Sequence, residues 1–305
     1  MLKSRKYLNG EDQLKNVYIA GLPETECAYL MENTKQECEN GLSVYFQSKN
    51  EAEDFLAKEW KSIKEQDICV ADINAMQTLV ISESQSLLTL ADQCGFSTIA
   101  WQRPGSSVYV HADMIVEGFE EVDVPFLQRV YERHAKIPWT ILETKRCMVQ
   151  ELELDDLPEL FAMYAEPGMT DYMEGLSEYR DEREKQQAYI TNQYGFYGYG
   201  LWLIFEKETG RLIGRAGIEH REALDDLPEL AYAIRTSEQG KGFAEEVCRA
   251  ILDYAKQELE MTELYCCIQE ENCPSHKLAG KLGFVQKKKE LWDGHNICIY
   301  WKKLE

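Results

Sequence analysis

The chain has no apolar run approaching the ~18 residues that span a bilayer. Its opening residues, MLKSRKYLNGEDQLK, carry charge with no hydrophobic segment behind them, so neither a secretory signal nor a membrane role is expected. No C-x-x-C pair occurs among the ten cysteines, and the adjacent Cys266 and Cys267 sit in an apparent strand, where neighbours point to opposite faces. That argues against a disulfide framework and a zinc site; reduced, buried thiols in a cytoplasmic protein, with no metal, are the expectation. A G-x-x-x-x-G-K-[ST] loop is also missing, which removes the P-loop nucleotide hydrolases. Basic residues are scarce: 33 Lys and Arg stand against 54 Asp and Glu, a net charge of −21. The deficit is spread evenly, with 13 basic and 23 acidic side chains in residues 1–143 and 20 and 31 in the remainder. No Lys/Arg-rich domain is left to track phosphates, so nucleic acid is not expected as a partner. An acidic field does favour cationic ligands such as amines.

What is present fits two domains. A length of 305 residues exceeds one ordinary domain, and 44% hydrophobic residues suit folded cores. In residues 1–138, VYIAGL, LSVYFQ, DICVADI, TLVISES and STIAWQ read as short strands, with helical patterns in NEAEDFLAKEWKSIKEQ and SQSLLTLADQCG between them. That alternation predicts a small three-layer α/β unit. Amphipathic VDVPFLQRVYERHA then leads to a junction at Lys136-Ile137-Pro138-Trp139.

Residues 144–305 parse more easily. Arg146–Glu151 alternates as a strand, Leu154-Asp155-Asp156-Leu157-Pro158 opens a helix, and EYRDEREKQQAYITNQY forms another. Two strands surround a turn at Glu208-Thr209-Gly210, and Glu229–Arg235 makes a third. A helix, the strand ELYCCIQ, the helix PSHKLAGKL and a hairpin turning at Asp293-Gly294 complete the order. A mixed sheet with packed helices follows.

Between the strand at Glu229 and the next helix lies SEQGKGFAEEVCRAIL. Gly240 and Gly242 there leave backbone N–H groups bare at the positive end of a helix dipole, a seat for a pyrophosphate. On spacing alone, a turn tightened by glycine is the equal alternative. A Rossmann fingerprint is excluded because Glu245 stands where the third glycine belongs.

Gln239-x-x-Gly242-x-Ala244 resembles the acyl-CoA loop of the GNAT N-acetyltransferases, and Asn272-x-x-Ser275 followed by Lys281-Leu282-Gly283-Phe284 resembles that family's second signature. Both fall in the right order over residues 144–305, and the likeness is strongest to the RimJ/RimL-like branch. The resemblance implies a splayed sheet that admits the pantetheine arm of acetyl-CoA. It implies that backbone groups of Ile234 and Arg235 pair with the pantetheine amides. Gln239 belongs to the loop, and the N–H groups of Gly240, Lys241, Gly242, Phe243 and Ala244 would hold the pyrophosphate. Asn272 would meet the arm from the opposite wall.

Acetyl transfer to an amine needs a proton acceptor and a proton for the leaving thiolate. Glu229 is the first candidate for the base and Glu219 the second, each against the alternative of a solvated strand carboxylate. The tyrosine that many relatives carry seven residues after the asparagine is replaced by Ala279. Ser275 is left as the candidate acid, against the alternative of a first-turn serine bonded to the backbone. His276 reads as a solvated helix-surface histidine, and Lys287-Lys288-Lys289 as a solvated hairpin from which one lysine could meet a 3′-phosphate. The aromatic run Tyr194–Trp202 lines an acceptor pocket or packs a sheet edge.

The segment TLVISESQSLLTLADQCGFSTIAWQR weakly resembles the closing half of a HAD-type phosphatase, but VYIAGLPETE has no D-x-D nucleophile motif. The first domain is therefore read as a non-catalytic platform that orients an acceptor or makes a homodimer. The function expected is acetyl transfer from acetyl-CoA to a primary amine, on a protein N-terminus or a small molecule. The alternative is a silent acyl-CoA-binding module beside a partner-binding domain.

Overall fold

The computed structural model describes residues 13–34, 42–65, 77–106, 110–221, 224 and 227–304. The strand expected at DICVADI lies outside them. The chain divides into two compact units between Trp139 and Thr140.

Among the described residues the first unit holds five parallel strands: β1 (Asn16–Ala20), β2 (Ser43–Gln47), β3 (Thr78–Ser82), β4 (Ser97–Trp101) and β5 (Met114–Val116), in the order β2-β1-β3-β4-β5. Alternation along the strands splits their side chains between two helical layers. Val17, Ile19, Leu79, Ile81, Ile99 and Trp101 pack with Leu30 of α1 (Glu24–Thr34) and Leu127, Val130 and Tyr131 of α4 (Val124–His134). Ala20 and Val80 pack oppositely, with Ala52 and Leu56 of α2 (Lys49–Glu65) and Leu87 and Ala91 of α3 (Gln85–Gln93). The three-layer α/β architecture follows, with β3 and β4 buried at every residue as central parallel strands are. β1 runs into Gly21 with no carboxylate where a phosphatase nucleophile would stand. At the C-terminus of α4, His134 Nδ1 lies 3.0 Å from Asp113, which also accepts the N–H of Thr98 at 2.7 Å.

The second unit is an eight-stranded mixed sheet in the order β12-β13-β11-β10-β9-β8-β7-β6. Its strands are β6 (Thr140–Glu143), β7 (Cys147–Gln150), β8 (Leu201–Glu206), β9 (Leu212–Arg221), β10 (Leu227–Ile234), β11 (Glu263–Gln269), β12 (Val285–Trp292) and β13 (His295–Lys303). Its helices are α5 (Leu157–Tyr164), α6 (Tyr179–Tyr189), α7 (Phe243–Gln257) and α8 (Cys273–Lys281). Helix α7 buries Phe243, Val247, Cys248, Ile251, Leu252 and Ala255, a stripe at helical spacing, while its Tyr254 meets the fully buried Trp202 of β8 edge-on. Asp293 and Gly294 both take positive φ, 48° and 84°, the turn that matches the twist of a two-residue hairpin. One corner is unusually tight. A Cβ on Gly217 would lie 1.8 Å from the carbonyl oxygen of Gly200, so β9 approaches the start of β8 only as glycine.

One expectation needs correction, and two elements add to the reading. The helix read through Tyr194 ends at Tyr189 and continues as a wider π-type coil over Ile190–Tyr197. Gly198, at φ 72°, then turns the chain toward β8. Strand β6 and helix α1 went unread in the sequence.

Candidate functional site

The site begins where the sheet comes apart. β10 pairs with β9 over eight residues, from Leu227 opposite Arg221 to Ile234 opposite Gly214. Its parallel partner β11 meets it at one position, Glu229 opposite Tyr265. One further rung is made by a side chain: Cys267 N–H donates to Glu229 Oε1 at 3.0 Å. Beyond it the strands diverge, and the splayed sheet that the resemblance implied is present. Arg235 N–H donates to Ile213 O at 2.8 Å. Antiparallel alternation then assigns the odd-numbered residues of β10 to β9, leaves Leu230 to the one bridge with Tyr265, and turns main-chain groups of Tyr232 and Ile234 toward the opening. An edge of amides withheld from both water and a partner strand costs about 1–3 kcal/mol per unsatisfied group, so such a fork is complementary to an extended ligand with amides of its own.

This geometry corrects one expectation. The main-chain groups of Arg235 are both engaged, the N–H with Ile213 and the C=O with the N–H of Glu238 at 2.8 Å. Ile234 faces the fork and Arg235 does not; Tyr232 stands where Arg235 was expected. The Arg235 guanidinium instead ties β10 to α5 and the turn after it, bonding Glu166 at 3.1 Å.

The loop at the fork's end is built to expose its N–H groups. Gly240 and Gly242 have φ of 74° and 86°, the left-handed region that side chains disfavour. Among the described residues no hydrogen bond uses the N–H of Gly240, Lys241 or Gly242, and those of Phe243 and Ala244 belong to the first turn of α7, which has no acceptors of its own. Gln239 closes the near end, donating from Nε2 to Ile234 O at 3.0 Å. Lys241 Nζ turns back onto the buried Glu238, 2.7 Å away.

Arg146, which sequence reasoning passed over, clamps this loop. Its Nη1 donates to Lys241 O at 3.0 Å, its Nε and main-chain N–H donate to Glu246 at 2.7 and 2.8 Å, and its guanidinium carbon lies 4.2 Å from the centre of the Phe243 ring. Pulling the Lys241 carbonyl inward leaves the neighbouring N–H groups facing out. Burial alone would raise the Glu246 carboxyl, but bonds from Thr144 and Arg146 hold it below the ordinary carboxylate range.

At the throat of the fork the two candidate bases face each other, since Glu229 lies opposite Glu219 across the β9–β10 ladder. Glu229 has a side chain only 4% exposed and is bonded by Arg221, itself 45% exposed. Burial pushes the Glu229 carboxyl up, with Arg221 and Cys267 opposing. Glu219 accepts from the Tyr189 hydroxyl at 2.9 Å, and that phenol also accepts the Leu201 N–H at 2.8 Å. Burial, then the Glu219 charge, raises the Tyr189 phenol, so it stays a donor. In the aromatic run, Tyr194 is buried and donates to Leu201 O, while Tyr197 and Tyr199 gather around His220.

On the opposite wall Asn272 caps α8, accepting from Ser275 N–H at 3.2 Å. Ser275 is half-buried, and its carbonyl lies 3.5 Å from the Tyr232 hydroxyl, a donor from β10 that the sequence did not suggest. Ala279 is buried against the core. His276 is not solvated as expected: its ring nitrogens lie 2.9 Å from Tyr300 Oη and 3.2 Å from Glu270 O. The three hairpin lysines are engaged, Lys287 over Trp301, Lys288 with Glu290 and Lys289 with Glu270. The described residues contain no group of three or more His, Cys, Asp or Glu that could hold a metal, and no helix among them is long and apolar enough to cross a membrane.

The forked mixed sheet with its bare glycine loop has the shape that the resemblance implied, and comparison with known proteins gives the family. A family model described as an acetyltransferase (GNAT) domain matches residues 146–285. An uncharacterized protein of Bacillus subtilis, YkkB, is 30% identical over 166 residues, which cover 54% of this chain and 96% of YkkB. An uncharacterized N-acetyltransferase of Bacillus licheniformis, p20, is 29% identical over 148 residues, covering 48% of this chain and 83% of p20. An acetyltransferase structure from Agrobacterium tumefaciens is 25% identical, with a TM-score of 0.45, over 53% of this chain and 92% of that one. The chain belongs to the GNAT acetyltransferases, through its second unit.

Proposed function

We propose that the second unit moves an acetyl group from acetyl-CoA to a primary amine by direct attack in a ternary complex. One observation carries the reading: the fork between β10 and β11 leads from Glu229 to the loop at Gly240–Ala244. The residues fit the cosubstrate, because the loop offers five N–H groups to a pyrophosphate and the edge of β10 offers unpaired amides to the arm. Acetyl-CoA supplies an activated thioester when bound. Lys241 and Arg146, each paired with a carboxylate, hold the loop in this shape.

Glu229, its proton affinity raised by burial, takes the proton of the acceptor ammonium, and the neutral amine so formed attacks the thioester. A β10 N–H facing the fork donates to the carbonyl oxygen as charge develops there. Glu219, held by Tyr189, presents a second carboxylate to a cationic acceptor. Ser275 is the candidate donor to the leaving thiolate. The acceptor is a peptide N-terminus or a small amine, which the acidic chain attracts. No thiol is given a covalent role: burial raises the thiols of Cys248, Cys266 and Cys267, away from thiolate chemistry. The first unit is read as a platform without chemistry of its own.

The specific observation on the other side is Ala279, which fills the tyrosine position with a buried methyl. It favours a silent acyl-CoA-binding module. Thiol release from acetyl-CoA over a panel of amines separates the two. Turnover with some amine, reduced roughly 10²-fold in Glu229→Gln, supports catalysis; tight binding with no turnover on any amine supports the module.

A further inference from the structure

Away from the fork, a surface cavity of about 310 Å³ opens between the outer face of α7 and the end of β13. Its polar wall carries Arg249, Lys256, Lys302 and Lys303 against a single carboxylate, Asp253, and Leu252 and Leu282 form an apolar floor. Four cations to one anion is the reverse of the chain's composition of 33 basic to 54 acidic residues. Elsewhere in the unit several surface lysines sit on carboxylates: Lys207 on Glu143, Lys281 on Glu245, Lys288 on Glu290 and Lys289 on Glu270. Among the described residues no carboxylate lies within 4.0 Å of Lys256, Lys302 or Lys303.

The rim is held by the fold. Arg249 Nη2 donates to Lys281 O at 2.9 Å and to Glu245 at 3.0 Å, which fixes the guanidinium at the mouth. Lys302 bends across Gly283, its Nζ 3.1 Å from where a Cβ would stand, and that glycine has a φ of 84°. Lys256, in the last turn of α7, answers the negative end of the helix dipole, which accounts for one positive charge and not four. Like charges gathered around a concavity repel one another and are relieved by a multivalent anion.

We infer that this cavity is an anion site that takes a small molecule bearing two or more carboxylate or phosphate groups on a short apolar frame. It shares no residue with the glycine loop. Arg249 and Lys256 lie six and thirteen residues beyond Phe243, about 9 and 20 Å along α7.

Calorimetric titration of the full chain with citrate and with inorganic pyrophosphate, both in the presence of saturating coenzyme A to fill the glycine loop, tests this, the two probes separating carboxylate from phosphate preference. Saturable binding of either anion is expected, weakened roughly tenfold or more in Lys302→Glu/Lys303→Glu and weakened further in 0.5 M salt as screening shortens. The milder Lys302→Gln/Lys303→Gln pair, whose melting curve checks folding, should lose affinity in the same direction. Citrate affinity should be unchanged in Gly242→Ala, which alters only the loop. Saturation by neither anion, indifference to both lysine variants, or loss of citrate binding in Gly242→Ala would each overturn the assignment.

Discussion

The glycine loop offers the sharpest test, because its conformational and ligand effects separate. Gly242 sits at φ 86°, and a Cβ built there meets nothing closer than Arg146 Nη2 at 3.5 Å, an ordinary contact. Gly242→Ala therefore costs about 1–2 kcal/mol, the left-handed penalty alone. In a unit of this size that lowers the melting temperature by roughly 2–8 °C. Gly210, at φ 66° in the turn between β8 and β9 and with open space around its Cβ, supplies a matched control: Gly210→Ala should melt lower by a similar amount. Ligand binding then distinguishes them. Relief of the left-handed strain turns the loop away from φ 86° and takes at least two of the Gly240–Ala244 amides out of line with a pyrophosphate. Charge-assisted hydrogen bonds contribute about 1.5–3 kcal/mol each, so coenzyme A affinity should fall on the order of 10²-fold in Gly242→Ala. Gly210→Ala should bind coenzyme A as the parent does. Scanning calorimetry gives the first quantity and titration calorimetry the second. If both variants melt lower and both keep the parent affinity, the loop is a tightened turn and the pyrophosphate assignment is wrong.

Arg221→Ala removes the group that opposes burial at Glu229, so the acidic limb of the kcat/KM profile should move to higher pH; a limb that stays in place dissociates that limb from Glu229. Gly217→Ala drives a methyl into the Gly200 carbonyl and breaks the Ile218 N–H to Gly200 O bond of 3.2 Å. The combined cost is about 2–4 kcal/mol, and a melting temperature within ~1 °C of the parent would refute the close approach. At His134, burial disfavours the charged ring but the bonds and charge of Asp113 win, so its folded pKa is raised. Its stabilisation is therefore complete below the unfolded value and is lost as pH rises through the folded one. His134→Gln should destabilise more at pH 5.5 than at pH 9, and equal losses would show that the pair does not titrate with folding.

Legibility followed the range of the interactions involved. The loop, α7 and the Asp293-Gly294 hairpin were readable because glycine at positive φ and a helical apolar stripe are written in consecutive residues. The mixed sheet and the parallel α/β unit were readable from strand and helix alternation. Helix α1 was not, since ETECAYLMENT buries only Leu30 and Thr34 and shows no apolar stripe. β6, four residues long at the sheet edge, depends on its pairing with β7. The π-type segment has no breaker in its sequence before Gly195, so nothing local announces it. The partners of the site were hidden for the same reason. Arg146 reaches Glu246 across a hundred residues, and Tyr189 reaches Glu219 across thirty. The displacement of Arg235 from the fork follows from which edge of β10 faces β9, a property of register alone.

Glu229 is asked to do two things that pull against each other. One carboxylate oxygen completes the final rung between β10 and β11 through Cys267, and the other holds Arg221, so an incoming proton competes with the arginine for that oxygen. Arg221 is far more exposed than its partner and can swing into solvent without leaving a buried charge of its own. The rung through Cys267 can then persist during proton transfer. Glutamine preserves the rung, because its carbonyl oxygen still accepts from Cys267, yet it cannot take a proton. Alanine removes both. Glu229→Gln should accordingly lose turnover while binding coenzyme A as the parent does, whereas Glu229→Ala should lose turnover and bind several-fold more weakly as the fork widens. Equal coenzyme A affinities in the two variants would mean that the side-chain rung does not set the opening.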